Sequence, residues 1–488
     1  MRSVSRGLAA LGALILVVGG YLTADAFDIV PGVFTIDRTP SDAGISAVPT
    51  PGSSPSPQVT LVPIPSAAVS AAAPLLAPAE AAPMPTRAGM TAALARALAD
   101  AGLGSSVGLT VRDAGTGAHL LDVSAQVPRI PASTVKLLTA TAIISALDPA
   151  LTFATRAVRG ASAGQVTDVI LVAGGDTLLS PGMGDPAAVA GRAGLADLAE
   201  QTAEALKAQG VSSVRVHFDD RYASGARYAP GWFRADINDG LTGAVAMLGL
   251  STQRPLPGRA PITDPASSAA SAFRKVLAGR GLTVARDIDR VASPVGAPDL
   301  GVVRSAPLTD LVALALRESD NALTESLARQ AAFKAGRATF FSGVTAWVKE
   351  TAAAKGVDIR GVTMIDASGL SRGSFVTARA LGDVLSLAAG GQDPALQDVV
   401  AQLPVAGLTG TLADRFLKGP AHAAAGIARA KTGTLTGASA LAGTVVDRDG
   451  RLLTFAILAD KIPPGVGTLT ARAALDRFVA TLASCGCG

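Results

Sequence analysis

The chain has 488 residues, which is too long for one ordinary core and predicts two or three domains plus tails. Hydrophobic residues make up 49% and charged residues only 16%, a balance that excludes disorder of the chain as a whole. The net charge of +4 arises from scattered lysines and arginines without a basic cluster, so a nucleic-acid-binding surface is not expected.

The first 27 residues have the pattern of an export segment. Arg2 and Arg6 precede an uncharged apolar stretch over residues 7–24. Ala24-Asp-Ala26 fits a signal-cleavage site, yet the stretch is also just long enough to span a bilayer, so a cleaved signal peptide and a membrane anchor both stay open. Residues 28–88 are rich in Pro, Ala and Ser with almost no charge, which predicts an extended linker.

The folded body is predicted to begin near residue 90. A helix over 91–101 precedes two strands, 107–111 and 119–123, that flank a glycine-containing turn. After Pro131, apolar residues recur at helical spacing, so Ser133 is expected at the start of a buried helix.

The rest of the body alternates strand-like and helical runs. Between residues 150 and 300 we predict strands and helices at 169–173, 195–209, 214–218 and 266–282. A helix from Leu308 leads to Ser319, and Asp320 is expected to cap the helix that follows at once. Three antiparallel strands, 428–434, 440–446 and 452–458, and a helix over 469–482 complete the chain. Helices packed on one antiparallel sheet predict an α/β (α+β) fold.

Three short motifs with chemical potential occur in order along the chain. They are Ser133-Thr-Val-Lys136, Ser319-Asp-Asn321 and Lys431-Thr-Gly433. Each alone is a weak signal, but the chain has only nine lysines and two of them lie in these motifs. Their order and their predicted elements together indicate an active-site serine enzyme.

The spacing of the first motif explains how a serine could be activated. Residues i and i+3 share one face of a helix, so the Lys136 amine can reach the Ser133 hydroxyl and act as its base when neutral. Burial and the charge of Lys431 are both expected to lower the pKa of Lys136. Ser319 is a candidate relay of a proton to the leaving amine, and the Asn321 amide either holds the substrate backbone or orients Lys136.

The third motif is a candidate substrate-binding strand. Lys431 and the hydroxyls of Thr432 and Thr434 are expected to form a cationic seat for a terminal carboxylate. The small Gly433 would let the substrate lie against the strand as an added strand. Geometry typical of the three motifs implies an oxyanion hole made by the backbone N–H groups of Ser133 and Thr434.

With Asp366-Ala-Ser-Gly-Leu-Ser371 and Pro404-Val-Ala-Gly-Leu-Thr-Gly-Thr411, these motifs resemble the class C low-molecular-mass penicillin-binding proteins over about residues 90–482. The resemblance implies a penicillin-recognising serine transpeptidase/β-lactamase-like domain in two parts, 90–155 and 300–488, with an inserted domain at 156–299. It implies a D-alanyl-D-alanine carboxypeptidase, with DD-endopeptidase action left open, that forms an acyl-enzyme on Ser133. Peptidoglycan stem peptides would be its substrates, β-lactam antibiotics its inhibitors, and its location extracytoplasmic.

Two other functions stay open from the sequence. A serine β-lactamase shares the three motifs, although the E-x-x-L-N stretch of class A enzymes does not occur between Asn321 and Lys431. A non-catalytic cell-wall or β-lactam sensor would keep the fold for binding alone. The motif residues that argue against such a sensor are all intact: Ser133, Lys136, Ser319 and Lys431.

The histidine and cysteine content predicts neither metal nor cofactor chemistry. His119, His217 and His422 are scattered with no nucleophile-elbow serine beside them, so we expect no Ser-His-Asp triad, no metal site and no cofactor. Cys485 and Cys487, the only cysteines, fit either a small local disulfide or two inert thiols in a frayed tail.

Overall fold

The structure is a computed structural model that describes residues 82–391 and 393–488. The predicted export segment, 1–27, lies outside the described residues, as does most of the predicted linker, 28–88. None of the helices in the described ranges combines the length and the apolar character needed to cross a membrane.

The helices and strands follow one another in three stretches of the chain. The first contains α1 (Arg87–Leu98), β1 (Ser106–Asp113), β2 (His119–Val123) and α2 (Lys136–Ala146). The second contains β3 (Ala154–Ala163), β4 (Val166–Val172), α3 (Leu195–Ala208), β5 (Ser213–Asp219), α4 (Arg234–Asn238), α5 (Pro265–Ala278), β6 (Thr283–Val284) and β7 (Asp299–Arg304). The third contains α6 (Leu308–Arg317), α7 (Asn321–Lys334), α8 (Phe341–Ala354), α9 (Ala378–Ala389), α10 (Pro394–Ala401), β8 (Ala428–Leu435), β9 (Ala438–Val446), β10 (Leu452–Asp460) and α11 (Gly467–Ala483).

The first and third stretches share an antiparallel sheet with strand order β2-β1-β10-β9-β8. Side chains of β10 alternate between two cores, because successive residues of a strand point to opposite faces. Phe455 and Ile457 pack with α1 and α11, whereas Ala456 and Leu458 pack with α2 and with the helices of the third stretch from α6 to α10. Since β10 is buried on both faces, its sequence is an almost unbroken apolar run. The predicted α+β fold with an antiparallel sheet flanked by helices is confirmed.

The second stretch forms its own mixed sheet, with strand order β6-β5-β4-β3-β7. In this sheet β3 is antiparallel to both β4 and β7, whereas β5 is parallel to β4 and β6. The helices α3 and α5 cover a separate core that contains Leu198, Val216 and Phe273. Because β7 pairs with β3, this sheet extends to Arg304, five residues beyond the end of the predicted inserted domain at 299.

Residues near the start of the described chain contact its C-terminal residues. The first helix starts at Arg87, earlier than predicted, because Thr86 caps it by accepting from the Gly89 N–H at 3.1 Å. Cys485 and Cys487 form a disulfide. The carbonyl of Cys487 accepts from the Thr86 N–H at 2.8 Å, so the tail is packed against the start of α1.

Candidate active site

Ser133 lies in a 3-10 turn, Ala132–Val135, that immediately precedes α2. The sequence predicted the start of a helix at this position. In the structure the 3-10 turn is the tighter first segment of that helix. The Thr134 hydroxyl donates to the Pro131 carbonyl at 2.7 Å and fixes the turn. Ser133 itself is half-buried. It opens onto a cleft that is lined by residues of all three stretches of the chain.

Lys136 is fully buried, and its Nζ has three hydrogen-bond partners. It lies 2.9 Å from Ser133 Oγ, 2.5 Å from Asn321 Oδ1 and 2.7 Å from the Ser368 carbonyl oxygen. The last two oxygens can only accept, so they take two N–H bonds of the amine. In the neutral form the lone pair of Lys136 then has only the Ser133 hydroxyl to face, which is the arrangement of a general base.

Burial makes this neutral form accessible near neutral pH. It lowers the pKa of Lys136 to about 8, although the carboxylates of Asp366, Glu325 and Asp320 act to raise it. Burial and the charge of Lys136 hold the pKa of Lys431 well below its usual range. The sequence led us to expect that burial and the charge of Lys431 would both lower the pKa of Lys136. Burial is the cause that lowers it in the structure.

Ser319 and Lys431 form a second hydrogen-bonded pair in the cleft. Lys431 is fully buried, and its Nζ donates to Ser319 Oγ and to the Thr432 carbonyl, each at 2.9 Å. Ser319 has a φ of 57°, a left-handed conformation that is unfavourable for a residue with a side chain. Ser319 lies in the short turn that connects α6 and α7.

Residues of the second stretch contact both neighbours of Ser319 in the chain. Arg254 pairs with Glu318 at 2.7 Å and with Asp320 at 2.9 Å. The Leu241 carbonyl accepts from Asn321 Nδ2 at 2.7 Å, which fixes the orientation of the amide that holds Lys136. Asp320 also caps α7 by accepting from the Leu323 N–H at 2.9 Å, as predicted.

A buried loop, residues 366–371, carries the carbonyl that binds Lys136. The Asp366 carboxylate accepts from the N–H groups of Gly369 at 2.5 Å and Ser371 at 2.7 Å and from Trp232 Nε1 at 2.7 Å. Glu325 accepts from the Ser368 N–H at 2.8 Å, and burial raises the pKa of Glu325 to about 8. These buried acceptors fix the loop, and through it the Ser368 carbonyl.

The strand β8 borders the cleft at the edge of the first sheet. A Cβ on Gly433 would press on Pro131 O and lie 3.2 Å from Thr134 Cγ2, so the glycine allows β8 to pack against the serine turn. The sequence had suggested that Gly433 makes room for substrate. Thr432 Oγ1 contacts Thr411 Oγ1 at 2.9 Å, and Thr434 lines the cleft with Ser133.

All eight residues selected from the sequence therefore lie around one cleft. They are Ser133, Lys136, Ser319, Asn321, Lys431, Thr432, Gly433 and Thr434. Sequence reasoning missed Glu325, Arg254 and Leu241, and it assigned no role to Asp366 although it singled out the segment 366–371. Only Glu325 had a local signal, because it lies one helical turn after Asn321 on a buried face.

Comparison with known proteins finds similarity to carboxypeptidases over most of the chain. The model of the D-Ala-D-Ala carboxypeptidase 3 (S13) family matches residues 90–254 and 241–482. The chain is 39% identical to Carboxypeptidase DacB of Mycolicibacterium smegmatis over 83% of this chain and 86% of that protein. It is 31% identical to the D-alanyl-D-alanine carboxypeptidase of Actinomadura sp. (strain R39) over 72% of this chain and 77% of that protein.

A solved structure is similar in fold. Penicillin binding protein 4 (dacB) from Haemophilus influenzae superposes with a TM-score of 0.63 at 20% sequence identity, over 82% of this chain and 98% of that one.

Proposed function

Since this chain belongs to the D-Ala-D-Ala carboxypeptidase 3 (S13) family, we propose that it removes the terminal D-alanine of peptidoglycan stem peptides through an acyl-enzyme on Ser133. The observation that carries the assignment is the environment of Lys136. Two obligate acceptors, Asn321 Oδ1 and the Ser368 carbonyl, leave its lone pair directed at the nucleophile.

In the acylation step, Lys136 takes the proton of Ser133 as Oγ bonds to the carbonyl carbon of the penultimate D-alanine. The negative charge that develops on the carbonyl oxygen is stabilised by the backbone N–H groups of Ser133 and Thr434. The C–N bond then breaks, and the proton passes from Lys136 through Ser319 to the leaving nitrogen. Lys431, 2.9 Å from Ser319 Oγ, orients that hydroxyl.

Hydrolysis of the acyl-enzyme uses the same residues in reverse. Lys136, neutral again, takes a proton from the attacking water and returns it to Ser133 Oγ as the ester bond breaks. Penicillins contain a peptide-like lactam bond and form the same ester. When the lactam bond opens, its amine stays attached to the acyl group instead of leaving, so the inhibition is expected to persist.

The edge of β8 is the surface against which the peptide would lie. The segment 404–406 pairs with the first residues of β8, and β9 pairs with its inner edge. Within the described residues no strand pairs with the outer edge of 431–435, beside Ser133. An extended substrate can add there as a further strand.

Because peptidoglycan is the substrate, the enzyme is expected to act outside the cytoplasm. Residues 1–27 would supply the export signal, either cleaved or retained as a membrane anchor. Cleavage of peptide cross-links as a DD-endopeptidase would use the same acyl-enzyme on Ser133.

The test is release of D-alanine from a peptide that ends in D-Ala-D-Ala, with the diastereomer that ends in L-Ala-D-Ala as the control substrate. We expect the full chain to release D-alanine only from the first peptide. Ser133→Ala should abolish release, and Lys136→Ala should lower the rate by roughly 10³-fold or more because a general base contributes about 10²–10⁴-fold. Release by Ser133→Ala at the rate of the unmodified chain would refute the proposal.

A further inference from the structure

The loop 366–371, which carries the carbonyl that binds Lys136, packs into two different cores. Ala367 belongs to the core around α2, whereas Leu370 belongs to the core of the second stretch together with Trp232. Trp232 lies in the segment between β5 and α4, and only 8% of its surface is exposed. The loop therefore lies where the second stretch meets the active site.

Trp232 is held tightly against this loop. Its ring packs edge-on against Phe341, with the ring centres 5.8 Å apart. A Cβ on the preceding residue, Gly231, would lie 2.7 Å from Ser371 Oγ and 2.8 Å from Ser371 Cβ, so only a glycine lets the second stretch approach the loop this closely. In this position the Nε1–H of Trp232 donates to the Asp366 carboxylate at 2.7 Å.

Asp366 is fully buried, and its carboxylate accepts hydrogen bonds from five donors of the described residues. Four of them belong to the loop itself: the N–H groups of Gly369 and Ser371 and the hydroxyls of Ser368 and Ser371. The fifth is Trp232 Nε1. A buried carboxylate needs such donors because it has lost its contacts with water. Trp232 is thus the donor that fixes the carboxylate relative to a part of the chain outside the loop.

The peptide group between Ser368 and Gly369 transmits this position to the base. Its N–H donates to Asp366 Oδ1 at 2.5 Å, and its carbonyl oxygen accepts from Lys136 Nζ at 2.7 Å. A trans peptide group is planar, so its N–H and C=O point in opposite directions and rotate together. A turn of the Asp366 carboxylate would therefore move the carbonyl away from Lys136. That carbonyl is one of the two acceptors that direct the amine's lone pair toward Ser133.

We propose that Trp232 is a positioning residue for the general base, acting through Asp366 and the 368–369 peptide group on Lys136. It contacts neither the reacting atoms nor the nucleophile, so it is not a catalytic residue. The inference rests on the proposed function, because it takes Lys136 as the base. It deepens that function by assigning part of the geometry of the base to the second stretch of the chain.

The experiment measures acylation by penicillin in two variants of the full chain, each of which loses one indole ring. Trp232→Phe keeps an aromatic ring but removes the Nε1–H, which leaves the Asp366 carboxylate with the donors of its own loop. Trp347→Phe is the matched control, because Trp347 is the other tryptophan of the chain and is similarly buried in the core around α2. Rates measured over a range of drug concentrations give the limiting acylation rate and the half-saturating concentration separately.

We expect Trp232→Phe to lower the limiting rate by about tenfold, less than the roughly 10²-fold cost of a 1 Å misplacement, because the loop keeps its other donors. The half-saturating penicillin concentration should change by less than about threefold, since the base does not bind the drug. In Trp347→Phe both quantities should stay within about twofold of their unmodified values, although removal of a buried ring lowers the melting temperature there too.

A double-mutant cycle tests whether Trp232 acts through Asp366. The side chain of Asp366→Asn has a single acceptor oxygen, and the Gly369 N–H competes for it, so the indole loses its role. Trp232→Phe should then lower the limiting rate by less than about twofold in that background. Gly231→Ala disturbs the same contact while keeping the indole, because its Cβ must displace Ser371, and its limiting rate should fall as well.

A limiting rate in Trp232→Phe equal to that of Trp347→Phe would overturn the inference and leave the indole with a packing role alone. The inference would also be overturned by an unmodified limiting rate in Gly231→Ala, by a loss confined to the half-saturating concentration, or by an equal loss from Trp232→Phe in the Asp366→Asn background. Absence of any acylation of the unmodified chain would instead overturn the proposed function.

Discussion

Gly433→Ala should slow acylation, because the structure leaves no room for a methyl group between β8 and the serine turn. The new Cβ would come closer than 3.0 Å to Pro131 O, 3.2 Å from Thr134 Cγ2 and 3.3 Å from Ala132 Cβ. The oxygen belongs to the backbone, so it cannot rotate away. The strand and the turn must separate by roughly half an ångström, and misplacement by about 1 Å costs about 10²-fold in rate.

We therefore expect the acylation rate of Gly433→Ala at saturating penicillin to fall by about 10–100-fold. Overpacking typically costs about 1–3 kcal/mol, so the melting temperature should fall by a few degrees while the protein stays folded. Gly465→Ala is the matched control, because a Cβ there meets no atom within 4 Å. Acylation of Gly433→Ala at the unmodified rate would refute the packing argument.

Two further predictions concern the base Lys136 and Arg254, which lies in the second stretch of the chain. Because Lys136 must be neutral and burial lowers its pKa to about 8, the acylation rate should rise with pH and level off above about pH 8. A rate that stays constant between about pH 6 and about pH 9 would contradict the assignment of Lys136 as the base. Arg254→Met should slow acylation by roughly tenfold by releasing the residues beside Ser319. Arg290→Met, which breaks a comparable double ion pair in the same domain, should not, and equal losses would argue against a positioning role for Arg254.

The fold could be predicted where local pattern decides it. The strand β10 is apolar at nearly every position because both faces are buried, and the helix α11 follows from its own periodicity. The strands that make up the second sheet could not all be predicted. The pairing of β7 with β3 joins segments about 150 residues apart, and no local signal marks which sheet a short strand enters.

The same difference between local patterns and long-range contacts applies to the residues of the site. The contact between Ser133 and Lys136 follows from helical spacing, and the two other motifs could be placed by their resemblance to a known family. Arg254 had no signal in the sequence, because it reaches the cleft from an element remote in the chain. Such long-range contacts decide which charges are paired.

The most direct test of the account is the site of covalent modification by penicillin. The full chain is incubated with the drug, its intact mass is followed, and the adduct is located by peptide mapping beside Ser133→Ala. The account predicts one persistent adduct per chain, on the peptide that contains Ser133, and none in the variant. An adduct on another residue, or one that forms equally in Ser133→Ala, would contradict it.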